Sequence, residues 1–145
     1  MPFERMAYAI DMFAATTDEE VVVQTGWTDY AYKHVSKWFK MCTKEEMERY
    51  QEEASLLIMQ GGWGSICESM EKGKRMVIIP RYDGTEHIHD QFQLIRKLDD
   101  IGAVIGVFPS EECPQKFREQ YDETFSLLKA SVEKAKTFDF KKIVK

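Results

Sequence analysis

Met76-Val77-Ile78-Ile79 runs straight into Pro80, and no other string in the chain constrains the fold as tightly. Four consecutive apolar side chains point alternately to the two faces of an extended strand, so neither face can meet water. Pro80 has no N–H to give to a ladder and ends the strand. A strand buried on both sides needs a layer on each side, as in a parallel sheet covered by helices. Comparable runs recur: Val21–Thr25 stops at Gly26, Leu56–Met59 stops before Gly61-Gly62, and Ala103–Val107 follows Gly102. Lys37–Met41 reads as a further short strand.

Helical periods separate these runs. Phe3, Met6, Ala7, Ile10 and Phe13 recur at helix spacing behind Pro2, which suits a first turn. Thr43 and Glu46 form a capping box that opens a helix to about Ala54. A helix from about Ser65 to Lys72 stops at Gly73, and another spans about Asp90–Asp100. Phe117, Tyr121, Thr124, Leu128 and Val132 form the stripe of a last helix. The expectation is an α/β, Rossmann-like, mostly parallel sheet with helices on both faces. Ligands of such sheets lie beyond the carboxyl ends of the strands, where loops here begin at Gly26, Gln60, Arg81 and Phe108.

At 145 residues the chain suits one domain, read as residues 1–133 followed by a basic and apolar tail at 134–145. Lys+Arg 20 against Asp+Glu 25 gives a net charge of −5, which argues against nucleic acid as a partner. There is no apolar run near the roughly 20 residues that span a bilayer, and no signal-peptide pattern, so a cytoplasmic protein is expected. Cys42, Cys67 and Cys113 are too few and too widely spaced for a disulfide framework or a zinc site. His87 and His89, with Glu86 and Asp90, lack metal-ligand spacing and read as a polar loop; no metal or cofactor is expected.

The chemistry is concentrated in Gln60-Gly61-Gly62-Trp63-Gly64-Ser65, followed by Glu68. A strand that enters glycines and then a helix brings backbone N–H groups and the positive end of a helix dipole to one point, which suits an anion. Ser65 adds a hydroxyl, Glu68 a carboxylate one turn on that can accept from ribose hydroxyls, and Trp63 a flat face for a base or sugar. No G-K-[ST] follows, so this is not a P-loop, and G-x-G-x-x-G is absent. Taken alone, such a turn is weak evidence of a site and is more often a structural one.

Trp63, Ser65, Glu68, Gly73, Pro80 and Asp90-Gln91 occur together and in order. That set resembles the donor-binding signature of GT-B glycosyltransferases, whose plant form reads H-C-G-W-N-S-x-x-E, then Gly, Pro and D-Q. It is similar above all to the glycosyltransferase family 28 C-terminal group, in its small PssE/EpsF-type exopolysaccharide subunits. The Thr85-Glu86-His87-Ile88-His89-Asp90-Gln91 segment, Pro2-Phe3-Glu4-Arg5 and Val23-Gln24-Thr25-Gly26 carry the likeness further. The resemblance implies a donor site: Gly26 and Gln60 border it, and the Gly61–Gly64 backbone with Ser65 holds a diphosphate. Glu68 takes the ribose, Asp90 and Gln91 the sugar hydroxyls, and Glu86 and His87 lie near that sugar. It also implies a UDP-sugar as donor substrate and an inverting transfer. The partner is a membrane-anchored PssD/EpsE-like subunit that brings a lipid-linked acceptor and supplies the general base. The chain would then sit peripherally at the inner face of the membrane, and no catalytic residue is assigned within it.

Two departures from the family pattern bear on that reading. Gln60 stands where relatives usually carry His, and losing a charge-assisted contact costs about 1–2 kcal/mol of diphosphate binding. Relatives also begin with a strand and glycine loop before the Pro-Phe element, so the resemblance implies a first strand that this sequence, opening at Met1-Pro2, is not expected to supply. An upstream start, a rearranged sheet or a strand from another chain would each account for it. An interaction subunit that keeps the fold but has lost turnover is the alternative function. In the tail, five lysines against one acid alternate with Phe138, Phe140, Ile143 and Val144. Docking on the chain's own sheet, on the partner or on an anionic membrane would each cover those apolar groups. The resemblance favours the partner.

Overall fold

The computed structural model describes residues 3–81, 91–109 and 117–141. The chain divides into two compact units, Met1–Ala54 with Pro109–Leu128 and Ser55–Phe108 with Lys129–Lys145.

In the first unit, α1 (Glu4–Ala14) buries Ala7, Ile10 and Phe13 on the face that its spacing predicts. It also buries Arg5, whose Nη1 donates to the Thr124 hydroxyl over 3.0 Å, and Asp11. β1 (Val22–Gln24) pairs in parallel with β2 (Lys37–Phe39), in the register Val23 to Trp38. Both strands are shorter than expected, although the backbone pairing continues from Thr25 N–H to Phe39 and from Gly26 N–H to Lys40. The crossover over 25–36 contains no helix. It is held instead by Asp11, whose Oδ1 accepts the N–H groups of Lys33 and His34 at 3.0 and 2.9 Å. α2 (Lys44–Glu53) opens with the capping box of Thr43 and Glu46. The Tyr50 ring on α2 stacks on Phe39 of β2 at 5.3 Å between centroids.

In the second unit, β3 (Leu57–Gln60), β4 (Met76–Ile79) and β5 (Ile105–Gly106) form a parallel sheet in that order. Every residue of β4 is fully buried, as a central strand with both faces covered requires. α3 (Trp63–Glu71) connects β3 to β4, and α4 (Gln91–Asp100) precedes β5. Ile66 of α3, Ile95 and Leu98 of α4, and Met76 and Ile78 of β4 share one core with Ala103 and Val104. Gly73, at φ 70°, closes α3 as expected: its N–H and that of Lys74 reach back to Met70 and Ser69. The last strand is only two residues long, but the Val107 N–H still reaches the Ile78 carbonyl at 2.8 Å. Among the described residues all strand pairings are parallel, which agrees with the expected α/β, Rossmann-like class.

α5 (Phe117–Ala135) ends within this unit, and the segment after it continues there. The Lys141 N–H donates to the Gly102 carbonyl at 2.8 Å, and Arg75 donates to the Phe138 carbonyl. The Arg75 guanidinium also lies over the Phe140 ring, which meets Phe138 edge-on. Up to Lys141 the tail therefore makes contacts with its own unit, the first of the three covers its apolar groups allow. Two aromatic rings and a guanidinium supply the cover that exposed apolar groups need. Ile143 and Val144 lie outside the described residues.

Candidate functional site

The glycine-rich turn lies at the carboxyl end of β3, in the second unit. Here α3 begins at Trp63, two residues earlier than its apolar period implies, so Trp63, Gly64 and Ser65 all lie in the first turn. Gly62 is the N-cap and, having no side chain, makes no capping hydrogen bond. The first carbonyl bond along the helix is from Ile66 N–H to Gly62, which leaves the N–H groups of the first turn without intrahelical partners. α2 in the same chain closes the corresponding groups with Thr43 and Glu46. The start of α3 is thus an uncapped set of donors at the positive end of a helix.

Side chains around it sort by helix face. Ile66 and Ser69 turn inward, whereas Ser65 and Glu68, one turn apart, are exposed on the same outer face. The Glu68 carboxylate is 60% exposed and lies 3.7 Å from the Lys72 ammonium, a loose surface pair worth little by itself. The Trp63 ring is 50% exposed, so packing does not account for its presence at this helix start.

The glycines differ in their reasons. A Cβ on Gly61 would come within 2.8 Å of Gln91 Oε1 and 3.0 Å of Gln91 Cβ, so this position must remain bare. A Cβ on Gly62 or Gly64 would meet nothing within 4 Å. Gly64 therefore costs its helix about 0.5–1 kcal/mol relative to alanine with no packing reason. Gly64→Ala should raise thermal stability. If the first turn receives an anion, it should also weaken uridine-nucleotide binding, which thermal melts and calorimetry on one preparation would separate. A variant that gains stability and keeps full affinity would mean that no ligand approaches this backbone.

Gln91, the first residue of α4, is only 6% exposed. Its Oε1 accepts the backbone N–H of Arg81 at 3.0 Å, so it ties α4 to the end of β4 while packing on Gly61. Arg81, also 6% exposed, donates from Nε to Gln60 Oε1 at 2.6 Å. Three residues from the ends of β3 and β4 and the start of α4 are thereby locked together. Sequence reasoning marked Arg81 only as the beginning of a loop. The available signal was a guanidinium placed directly after a fully buried strand and its terminal proline. Gly26 ends β1 in the first unit at φ 55°, with open space around it. Glu86, His87 and Asp90 lie outside the described residues.

A parallel sheet whose strand ends carry an open helix start and a glycine turn is the architecture of a nucleotide-binding α/β domain. The chain matches the family model of the glycosyltransferase family 28 C-terminal domain over residues 4–145, and it belongs to that family. It is accordingly a glycosyltransferase domain of the donor-binding type, which implies a nucleotide-sugar donor. No curated protein and no solved structure matches the chain significantly. Among the described residues no helix is long and apolar enough to cross a membrane.

Proposed function

We propose that this chain is the donor-binding subunit of an inverting glycosyltransferase. It would hold a UDP-sugar while a membrane-anchored partner presents a lipid-linked acceptor for polysaccharide or glycolipid assembly. The observation that carries the reading is the uncapped start of α3 behind Gly61-Gly62, with Ser65 and Glu68 exposed on one face. The diphosphate accepts from the first-turn N–H groups and the Ser65 hydroxyl, where the helix dipole favours negative charge. Glu68, one turn along the same face, accepts from the ribose hydroxyls, and the exposed Trp63 face is available to the base or sugar. As the acceptor hydroxyl attacks the anomeric carbon, the bond to the diphosphate breaks, and the same donors stabilise the charge on the departing UDP. The proton of the acceptor goes to a base on the partner, so this chain by itself binds donor without transferring sugar. Tethering through the partner would keep it at the inner face of the membrane.

Calorimetric titration with UDP tests the reading. Glu68→Ala should weaken UDP binding by roughly 1.5–3 kcal/mol, the usual worth of hydrogen bonds to a charged group. Unchanged affinity in that variant would remove the ribose assignment. A wild-type chain that bound no UDP, alone or with its partner, would instead identify an interaction subunit that keeps only the fold.

A further inference from the structure

Gln60 is exposed at the end of β3, immediately before the bare Gly61. A glutamine amide has a donor branch and an acceptor branch of nearly equal shape, and unconstrained it presents either one. An amide that turned its oxygen toward a bound anion would repel it; one that turned its NH2 would bind it. Arg81 removes that ambiguity. Its Nε carries a proton at every accessible pH and has no acceptor capacity, so the Gln60 atom it meets at 2.6 Å has to be the carbonyl oxygen. The two amide N–H donors are then forced onto the opposite branch, and among the described residues they have no partner. Arg81 is itself held in place by burial and by its backbone N–H bond to Gln91 Oε1.

We propose that Arg81 is a positioning residue: it orients the Gln60 amide so that Nε2 donates to a phosphate oxygen of the nucleotide held at the start of α3. This rests on the donor-site reading above. It adds a specific partner for the diphosphate and a reason for a buried guanidinium at the end of β4.

The test is a double-mutant cycle on the full chain, read by calorimetric titration with UDP and by thermal melting. Gln60→Leu removes the donors and should weaken UDP binding roughly tenfold, the scale of one charge-assisted hydrogen bond. Arg81→Lys keeps a positive charge but loses the fixed fork, and should weaken binding by a similar factor. If Arg81 acts through Gln60, the double variant should be no weaker than the weaker single variant, within about twofold. Losses that multiply would show that Arg81 acts on the ligand or the fold independently, and would overturn the proposal. Gln60→Glu supplies a second route that does not depend on altering a buried residue. Its carboxylate still satisfies Arg81 but offers no donor, so UDP affinity should fall further than in Gln60→Leu while the melting temperature is kept. UDP binding at the wild-type level in either Gln60 variant would overturn the proposal and leave the donor site standing. Absence of UDP binding in the wild type would overturn both.

Discussion

Asp11→Ala should lower the unfolding free energy by about 3 kcal/mol, because two backbone N–H bonds to a charged acceptor are lost together. The carboxylate is 3% exposed and receives Lys33 and His34 from the long crossover between β1 and β2. With no helix in that crossover, Asp11 fixes the 33–34 turn of its path, alongside the buried Tyr32 and Val35 and the Thr28 hydroxyl that accepts the Phe3 N–H. Alanine leaves two partly buried donors without a partner, whereas Asp11→Asn keeps an acceptor oxygen and should recover most of the loss. The midpoint of urea unfolding measures both variants. A second readout comes from Tyr32, whose hydroxyl is pushed up to about 12 by burial first and by the Asp11 carboxylate second. In Asp11→Asn the Tyr32 titration should move back toward 10. The sign follows from linkage: a raised folded value contributes stability that is complete below pH 10 and disappears as pH climbs through 12. An alanine variant within 0.5 kcal/mol of wild type, on the order of an ordinary surface change, would mean that the crossover is held by other contacts.

The second large effect is at Gly61. Gly61→Ala should cost roughly 2–4 kcal/mol and weaken UDP binding as well, combining overpacking with a lost hydrogen bond. The new methyl would sit within 2.8–3.1 Å of three atoms of Gln91. That side chain is buried and bonded, so it can retreat only by giving up the Arg81 N–H. A buried donor is then stranded, and the tie between the ends of β3, β4 and α4 is broken. Gly62→Ala serves as the control, because its methyl would meet nothing. If both alanine variants unfold at the same urea concentration, the close approach of Gln91 to Gly61 is not a constraint on this fold.

Several features were legible from residues close together in the chain, because the physics that makes them is local. The Thr43 and Glu46 box forms a helix start from groups three residues apart, and it is present as read. Gly73 stops α3 because only a residue at ease with φ 70° returns the two N–H groups to Met70 and Ser69. Met76–Ile79 is buried on both faces because four apolar neighbours leave no other option. Gln60, the glycines, Trp63, Ser65 and Glu68 announced a strand, a turn and an open helix start, and that is their arrangement.

What the chain could not disclose depended on partners distant in sequence. The apolar period placed the start of α3 at Ser65; the first turn lies outside that period, and only the backbone shows the helix beginning at Trp63. Charged Arg5 and Asp11 look like the wet side of a helix until Thr124 and the 33–34 backbone arrive to satisfy them. The alternation of lysine with phenylalanine after residue 134 suits a free docking segment equally well. Only the fold brings the carbonyl of Gly102 and the guanidinium of Arg75 onto that segment as far as Lys141. Arg81 is the sharpest case, because its meaning arises from Gln60, 21 positions earlier, and Gln91, 10 positions later. Local propensity acts over a turn of helix or a pair of strand residues, whereas the direction in which an amide faces its ligand is set by whichever side chain the fold delivers behind it.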